Sequence, residues 1–164
     1  MIQTEGLTKR FPAPKNGQPI VAVEGLDLTV QEGEVFGFLG PNGAGKTTTV
    51  RMLTSLIGPT SGRAVINGLE VGKDDGAIRQ CVGILTETPG MYDRLSAEKN
   101  LTIFANLYGV KGAPGQVQRY LRMLGLWERR QDEAGSFSKG MRQKLAIARA
   151  LLHEPKLVFL AEPT

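Results

Sequence analysis

Gly40-Pro41-Asn42-Gly43-Ala44-Gly45-Lys46-Thr47-Thr48 is the stretch on which the reading of this chain turns. The apolar run Val35-Phe36-Gly37-Phe38-Leu39 leads into it, and an amphipathic segment opens at Thr47. The pattern G-x-x-x-x-G-K-[ST] between a strand and a helix is a phosphate-binding loop. A backbone that wraps a phosphate needs angles that side chains forbid and glycine permits. Successive N–H groups can then turn inward as an anion-binding nest, and the helix that starts there adds its partial positive end. On this reading Lys46 reaches the β and γ phosphates and the Thr47 hydroxyl sits on Mg²⁺. A glycine-rich turn with an incidental lysine is the alternative.

Outward from the loop, the pattern is that of an α/β protein. Ile20–Val23 and Leu26–Val30 alternate like strands at the edge of a mixed sheet. Val35–Leu39 is nearly all apolar, as a parallel strand buried on both faces would be. Thr47 to Leu56 is expected to be helical, ended by Pro59-Thr60-Ser61-Gly62, with a strand and turn over Arg63–Gly68. Cys81–Leu85 and Leu157–Leu160 complete the expected buried strands. Between them Ala97–Tyr108, Pro114–Gly125 and Ser138–Leu152 have helical spacing and are separated by glycines. Leu157–Leu160 has little chain after it to cover its second face, so the sequence is expected to stop in mid-fold at Thr164.

Two further motifs carry chemistry. Leu157–Glu162 is an apolar strand delivering a carboxylate at its end, the arrangement that P-loop ATPases use opposite the phosphate loop. Glu162 suits a general base that polarises water, or it is a solvated strand-end carboxylate. The residue before it is Ala161, whose methyl can neither accept a hydrogen bond nor balance a cation. In Phe137-Ser138-Lys139-Gly140-Met141-Arg142-Gln143, Ser138 is a good N-cap and Gly140 lets a ligand approach the backbone. In isolation a plain helix cap is the commoner explanation of Ser138.

Composition narrows the classes. The chain has 164 residues, enough for one domain with a sizeable core, and a net charge of +4. Its charges are interspersed without long runs, which gives nucleic-acid binding no support. Cys81 is the only cysteine, so no intramolecular disulfide can form. Met1–Glu5 lacks a secretory pattern, and no apolar stretch approaches the ~18 residues of a membrane span. Direct membrane insertion is not expected. His153, the only histidine, reads as a helix-end residue favourable to the dipole.

Taken together, the chain resembles the ATP-binding subunit of ABC transporters from Thr8 to Thr164. Gly40–Thr48 matches Walker A, Phe137–Met141 the signature sequence and Leu157–Glu162 Walker B. Thr86–Tyr92 is similar to the loop that links core and helical subdomain, and Glu87–Leu107 is most similar to the drug, antibiotic and ion exporter branch. The resemblance implies a P-loop NTPase core with a mostly parallel sheet (35–58, 78–88, 155–164). To this it adds an antiparallel N-terminal β part (1–34, 60–73) and a helical subdomain (89–154). It implies ATP and Mg²⁺ as ligands, with Glu162 and Lys46 catalytic and Thr47 and Glu87 at the metal. Phe11 would stack on adenine, although a core phenylalanine fits that position as well. Ser138 and Gly140 would contact the γ-phosphate held by a second ATP-binding subunit, two chains sandwiching two nucleotides head to tail. Transmembrane permease subunits would be the other partners, at the cytoplasmic face of the membrane. Departures from the pattern are Glu87 for glutamine, Lys139 and Met141 for glycines, and Ala161 for aspartate. A non-catalytic nucleotide-binding module of an asymmetric pair and a small P-loop kinase are the competing functions.

Overall fold

The computed structural model describes residues 1–13, 17–86 and 90–160. Glu87, Ala161 and Glu162 lie outside the described residues. The chain divides into two units, Met1–Arg79 and Gln80–Thr164.

The first unit is built on an antiparallel sheet of order β2-β1-β3-β4, with β1 (Ile2–Phe11), β2 (Ile20–Val30), β3 (Ser61–Ile66) and β4 (Leu69–Glu70). The two strands expected over 20–30 are one, β2, at the sheet's edge. Sequence patterning missed β1, and the reason is physical. Two of its buried positions, Thr4 and Thr8, are polar, and the register shifts around Gly6 break the alternation. Both hydroxyls are satisfied: Thr4 Oγ1 donates to the Leu26 carbonyl at 2.8 Å, and Thr8 Oγ1 accepts from the Gly25 N–H at 3.0 Å. Ile66 pairs with Leu69 across Asn67-Gly68, both at positive φ, which is the primed turn that matches strand twist.

Helix α1 (Lys46–Leu53) packs against β2 and β3 and buries Thr49, Met52 and Leu53. It stops short of the expected Leu56 because Ser55 turns to φ 53, and Arg79 donates to its carbonyl at 3.0 Å. A short helix, α2 (Asp75–Cys81), takes Cys81 out of the strand expected there.

Val35–Leu39 corrects the sequence reading most. It forms no strand among the described residues, and Val35 and Leu39 are 98% and 91% exposed. A strand exists only through a ladder, and no described residue offers one to this run.

In the second unit β5 (Val82–Leu85) and β6 (Leu157–Leu160) pair in parallel, from Val82↔Leu157 to Leu85↔Leu160. This two-stranded ladder leaves β6 less buried than its sequence suggests, since only Phe159 is inside and Leu160 is 70% exposed. The helices α3 (Ala97–Leu107), α4 (Ala113–Met123) and α5 (Lys139–Leu151) lie within two residues of the expected segments. Ser96 caps α3, Ser138 caps α5, and Pro114 stands in the first turn of α4. Leu101, Ala105, Val117, Leu121, Leu145 and Leu152 centre one apolar core. Gly83 lets α5 lie directly on β5: a Cβ there would stand 2.4 Å from the Ala150 carbonyl oxygen. Within this core Asn100 is fully buried, yet every polar atom of its amide is used. It accepts from the Tyr92 N–H at 2.8 Å and donates to the carbonyls of Tyr92, Leu95 and Ser96.

His153 is not the charged helix-end residue that its position suggests. Its ring stacks on Tyr108 with centroids 4.0 Å apart, and Nε2 lies 3.0 Å from the Val82 carbonyl. A carbonyl only accepts, so Nε2 carries the proton in the neutral ring. Nδ1 is buried with no partner among the described residues, and burial pushes the imidazole below its usual 6.5. It therefore brings no charge to the helix dipole at neutral pH. A histidine depressed by folding leaves the unfolded chain to bind the proton first as pH falls. Stability is then full above about 6.5 and declines as pH drops from there through the lower folded value. The urea midpoint should fall between pH 7.5 and 5.5, and His153→Phe, which keeps a stacking ring, should flatten that dependence.

Candidate functional site

The phosphate loop lies in the first unit. Gly43 and Gly45 adopt φ 84 and 82, the left-handed region, and the Ala44 N–H donates to the Pro41 carbonyl at 3.2 Å. Gly45 is the N-cap of α1, and its backbone sits hard against β2. A Cβ at this position would come within 2.2 Å of the Ala22 carbonyl oxygen and 3.1 Å of a Val23 methyl. Two independent constraints, backbone angle and space, thus require glycine here. Behind the cap, the Gly45 carbonyl accepts from the Thr49 N–H at 2.8 Å and from the Thr49 hydroxyl at 3.0 Å. Thr49 therefore serves the loop's shape.

Lys46 is the first residue of α1, and its ammonium folds back over the loop. It donates to the carbonyls of Gly40 and Pro41, the latter at 2.9 Å. Two of its three donors hold the loop, and one is left to reach outward. Thr47 follows on the exposed first turn, with Thr48 partly buried beside it. No carboxylate stands in the first turn of α1, so no side chain of that turn offsets its positive end. This set fits an anionic ligand, with the Thr47 hydroxyl as the described residue suited to a metal. Mg²⁺ bound there would supply positive charge against the phosphates.

A cleft of about 280 Å³ adjoins the loop, walled by Ala22, Val23, Glu24 and Leu26 of β2, and by Phe38, Ala44, Lys46 and Thr49. The motif alone did not reveal the β2 wall, because a contact between a loop and an earlier strand leaves no local pattern. Phe11 does not line this cleft. It ends β1 opposite Ile20, 36% exposed, with the Lys9 ammonium 5.4 Å from its ring centre. It is not a core phenylalanine.

Ser138 and Gly140 lie in the second unit, on the exposed start of α5. Ser138 Oγ accepts from the Met141 N–H at 3.3 Å, which leaves its O–H free to donate. A Cβ at Gly140 would meet nothing within 4 Å, so the bare surface there is open to a ligand. Like α1, α5 has no acidic residue in its first turn. A larger recess of about 390 Å³ in this unit, bordered by Tyr108, Lys111, Gln116 and His153, holds none of the expected site residues.

A family model described as ABC transporter matches residues 23–164. The chain belongs to the ABC transporter family. It is 43% identical over 164 residues to the bacitracin transport ATP-binding protein BcrA of Bacillus licheniformis, which covers all of this chain and 51% of that protein. It is 40% identical to the ABC transporter ATP-binding protein NatA of Bacillus subtilis (strain 168), covering all of this chain and 67% of NatA. The chain thus spans half to two thirds of the length of these relatives. In fold it matches a dimeric ATP-binding cassette solved in a post-hydrolysis state bound to ADP and Pi. That match has a TM-score of 0.84 at 24% identity and covers all of this chain and 75% of the other. The P-loop NTPase fold expected of Gly40–Thr48 is the fold of this neighbour.

The Gly45 geometry makes a direct prediction. Gly45→Ala should weaken nucleotide binding at least tenfold and lower the thermal midpoint, because the added methyl must displace either the loop or β2. Isothermal titration and circular dichroism on one preparation measure both effects.

Proposed function

We propose that the chain is the ATP-binding and ATP-hydrolysing part of a subunit that powers an ABC exporter. The observation that carries this is the loop at the head of α1: its glycine is jammed against β2, its lysine is folded over it, and the helix's own first turn holds no carboxylate. In this reading the amides of residues 40–48 and Lys46 hold the phosphates, and Thr47 and Glu87 attend Mg²⁺. Glu162 takes the proton of the attacking water, and Phe11 lends an aromatic face to adenine. Ser138 and Gly140 close on the γ-phosphate held by a second ATP-binding subunit, so that hydrolysis removes the bond between two halves. Permease subunits in the membrane would turn that closing and opening into transport. No helix among the described residues is long and apolar enough to cross a membrane, which suits a peripheral place at its cytoplasmic face. Export is favoured by the likeness of 87–107 to the exporter branch.

Lys46→Ala should reduce affinity for a fluorescent ATP analogue at least tenfold while leaving the far-ultraviolet spectrum unchanged. Unaltered affinity would overturn the proposal.

Ala161 favours a second reading, a nucleotide-binding module with slow or absent turnover. Loss of one outer partner of a metal site costs about 10–100-fold. Ala161→Asp should accordingly raise steady-state ATP turnover by about that factor. Tight ATP binding without turnover in both forms would instead select the non-catalytic module.

A further inference from the structure

We propose that Arg142 is a positioning residue that locks the Ser138–Gly140 turn to the segment Asp93–Glu98, so that the two move as one body. The proposal rests on the reading of that turn as a γ-phosphate contact. Arg142 lies one turn into α5, near the helix's positive end, where the dipole disfavours a cation and Lys139 adds a second. Its guanidinium is held there by three acceptors. Nε donates to the Phe137 carbonyl at 3.3 Å, Nη2 to the Gly135 carbonyl at 2.6 Å and Nη1 to the Asp93 carboxylate at 3.3 Å. Phe137 immediately precedes the Ser138 cap. One planar fork therefore grips the chain entering the turn and the segment alongside it, a geometry that a lysine's point charge cannot reproduce.

A backbone seam continues the grip. The Gly135 N–H donates to the Asp93 carbonyl at 2.9 Å, Ala134 to Leu95 at 2.9 Å, Ala97 to Asp132 at 3.1 Å and Glu98 to Arg130 at 3.0 Å. At the end nearest Arg142 the seam has no slack, since a Cβ on Gly135 would stand 2.9 Å from the Asp93 carbonyl oxygen. Asn100 ties Tyr92, Leu95 and Ser96 to the head of α3. A displacement imposed on residues 92–98 is thus delivered to Ser138 and Gly140 without loss in a flexible joint. Conversely, a turn ordered by a phosphate stiffens 92–98.

The test is nucleotide-driven association of the purified protein, followed by light scattering in saturating MgATP. A fluorescent-nucleotide titration at concentrations too low for association runs beside it. Misplacing a contact by an ångström can cost about a hundredfold. Arg142→Ala should raise the concentration for half-association at least tenfold, with nucleotide affinity within twofold of the unaltered protein. Gly135→Ala, which wedges the seam from the other side, should do the same. Arg142→Lys should recover only part of the loss. If Arg142→Ala does not fold, Gly135→Ala and Arg142→Lys decide between them. Association within twofold of normal in Arg142→Ala and Gly135→Ala overturns the proposal, as does an equal fall in nucleotide affinity. Gly140→Asp separates the two levels, because it adds an exposed carboxylate where a phosphate would come. If it blocks association while the seam variants do not, only the lock fails. If it associates normally, or if the unaltered protein never associates with MgATP, the γ-phosphate reading falls and the proposal with it.

Discussion

The contact between the Gly45 backbone and the Ala22 carbonyl is the constraint on which the first unit depends. A loop of alternating left-handed residues has little intrinsic stability, because it makes few ladder hydrogen bonds of its own. It keeps one shape here because a sheet strand stands behind it at a distance that excludes even a methyl group. The consequences run in both directions along the chain. α1 is aimed by its cap, Lys46 is placed to fold over the loop, and β2 becomes a wall of the cleft as well as a sheet edge. The ligand chemistry thus rests on the packing of a strand whose own residues are chemically unremarked.

The helices α1, α3, α4 and α5, the β3–β4 turn and the phosphate loop were legible in the sequence because their signals are local, whereas α2 was not. Ser138 marks a helix start, Gly68 marks the turn after the strand that begins at Arg63, and glycine spacing marks the loop. What escaped depends on distant partners. β1 hides behind Thr4 and Thr8, whose burial is tolerable only because Leu26 and Gly25 complete their hydrogen bonds. Val35–Leu39 errs the other way: its composition promises a buried strand, but a strand requires neighbours, and hydrophobicity alone does not say where they are. His153 fails for a third reason. Its place after a helix predicts a charge, but its stacking on Tyr108 and its burial remove one.

The candidate site was legible to a similar extent. Residue types and spacing picked out Lys46, Thr47, Ser138 and Gly140, which stand at the starts of α1 and α5. The structure adds supporting geometry that no motif encodes: Thr49 bracing the Gly45 carbonyl, the β2 wall of the cleft, and Arg142 holding three acceptors. Such residues leave no sequence signature because each serves through a partner tens of positions away or through the backbone.

A pattern in the helix starts links the two units without any reference to their relative placement. α2 and α3 carry Asp75 and Glu98 in their first turns, the usual way of offsetting a helix's positive end. α4 has no such carboxylate but opens on Pro114, which removes one of the unpaired donors. α1 and α5 do neither. Each begins with a lysine behind a cap, with no acid in reach along its own first turn. Leaving a helix end uncompensated forgoes roughly 0.3–1 kcal/mol of stabilisation, and these two helices, which carry the loop lysine and the Ser138 turn, both forgo it. An anion arriving from outside recovers that energy, and triphosphate oxygens are suited to both ends. The same electrostatic omission, repeated in separate units, supports the proposal that the loop and the Ser138 turn both meet an anion.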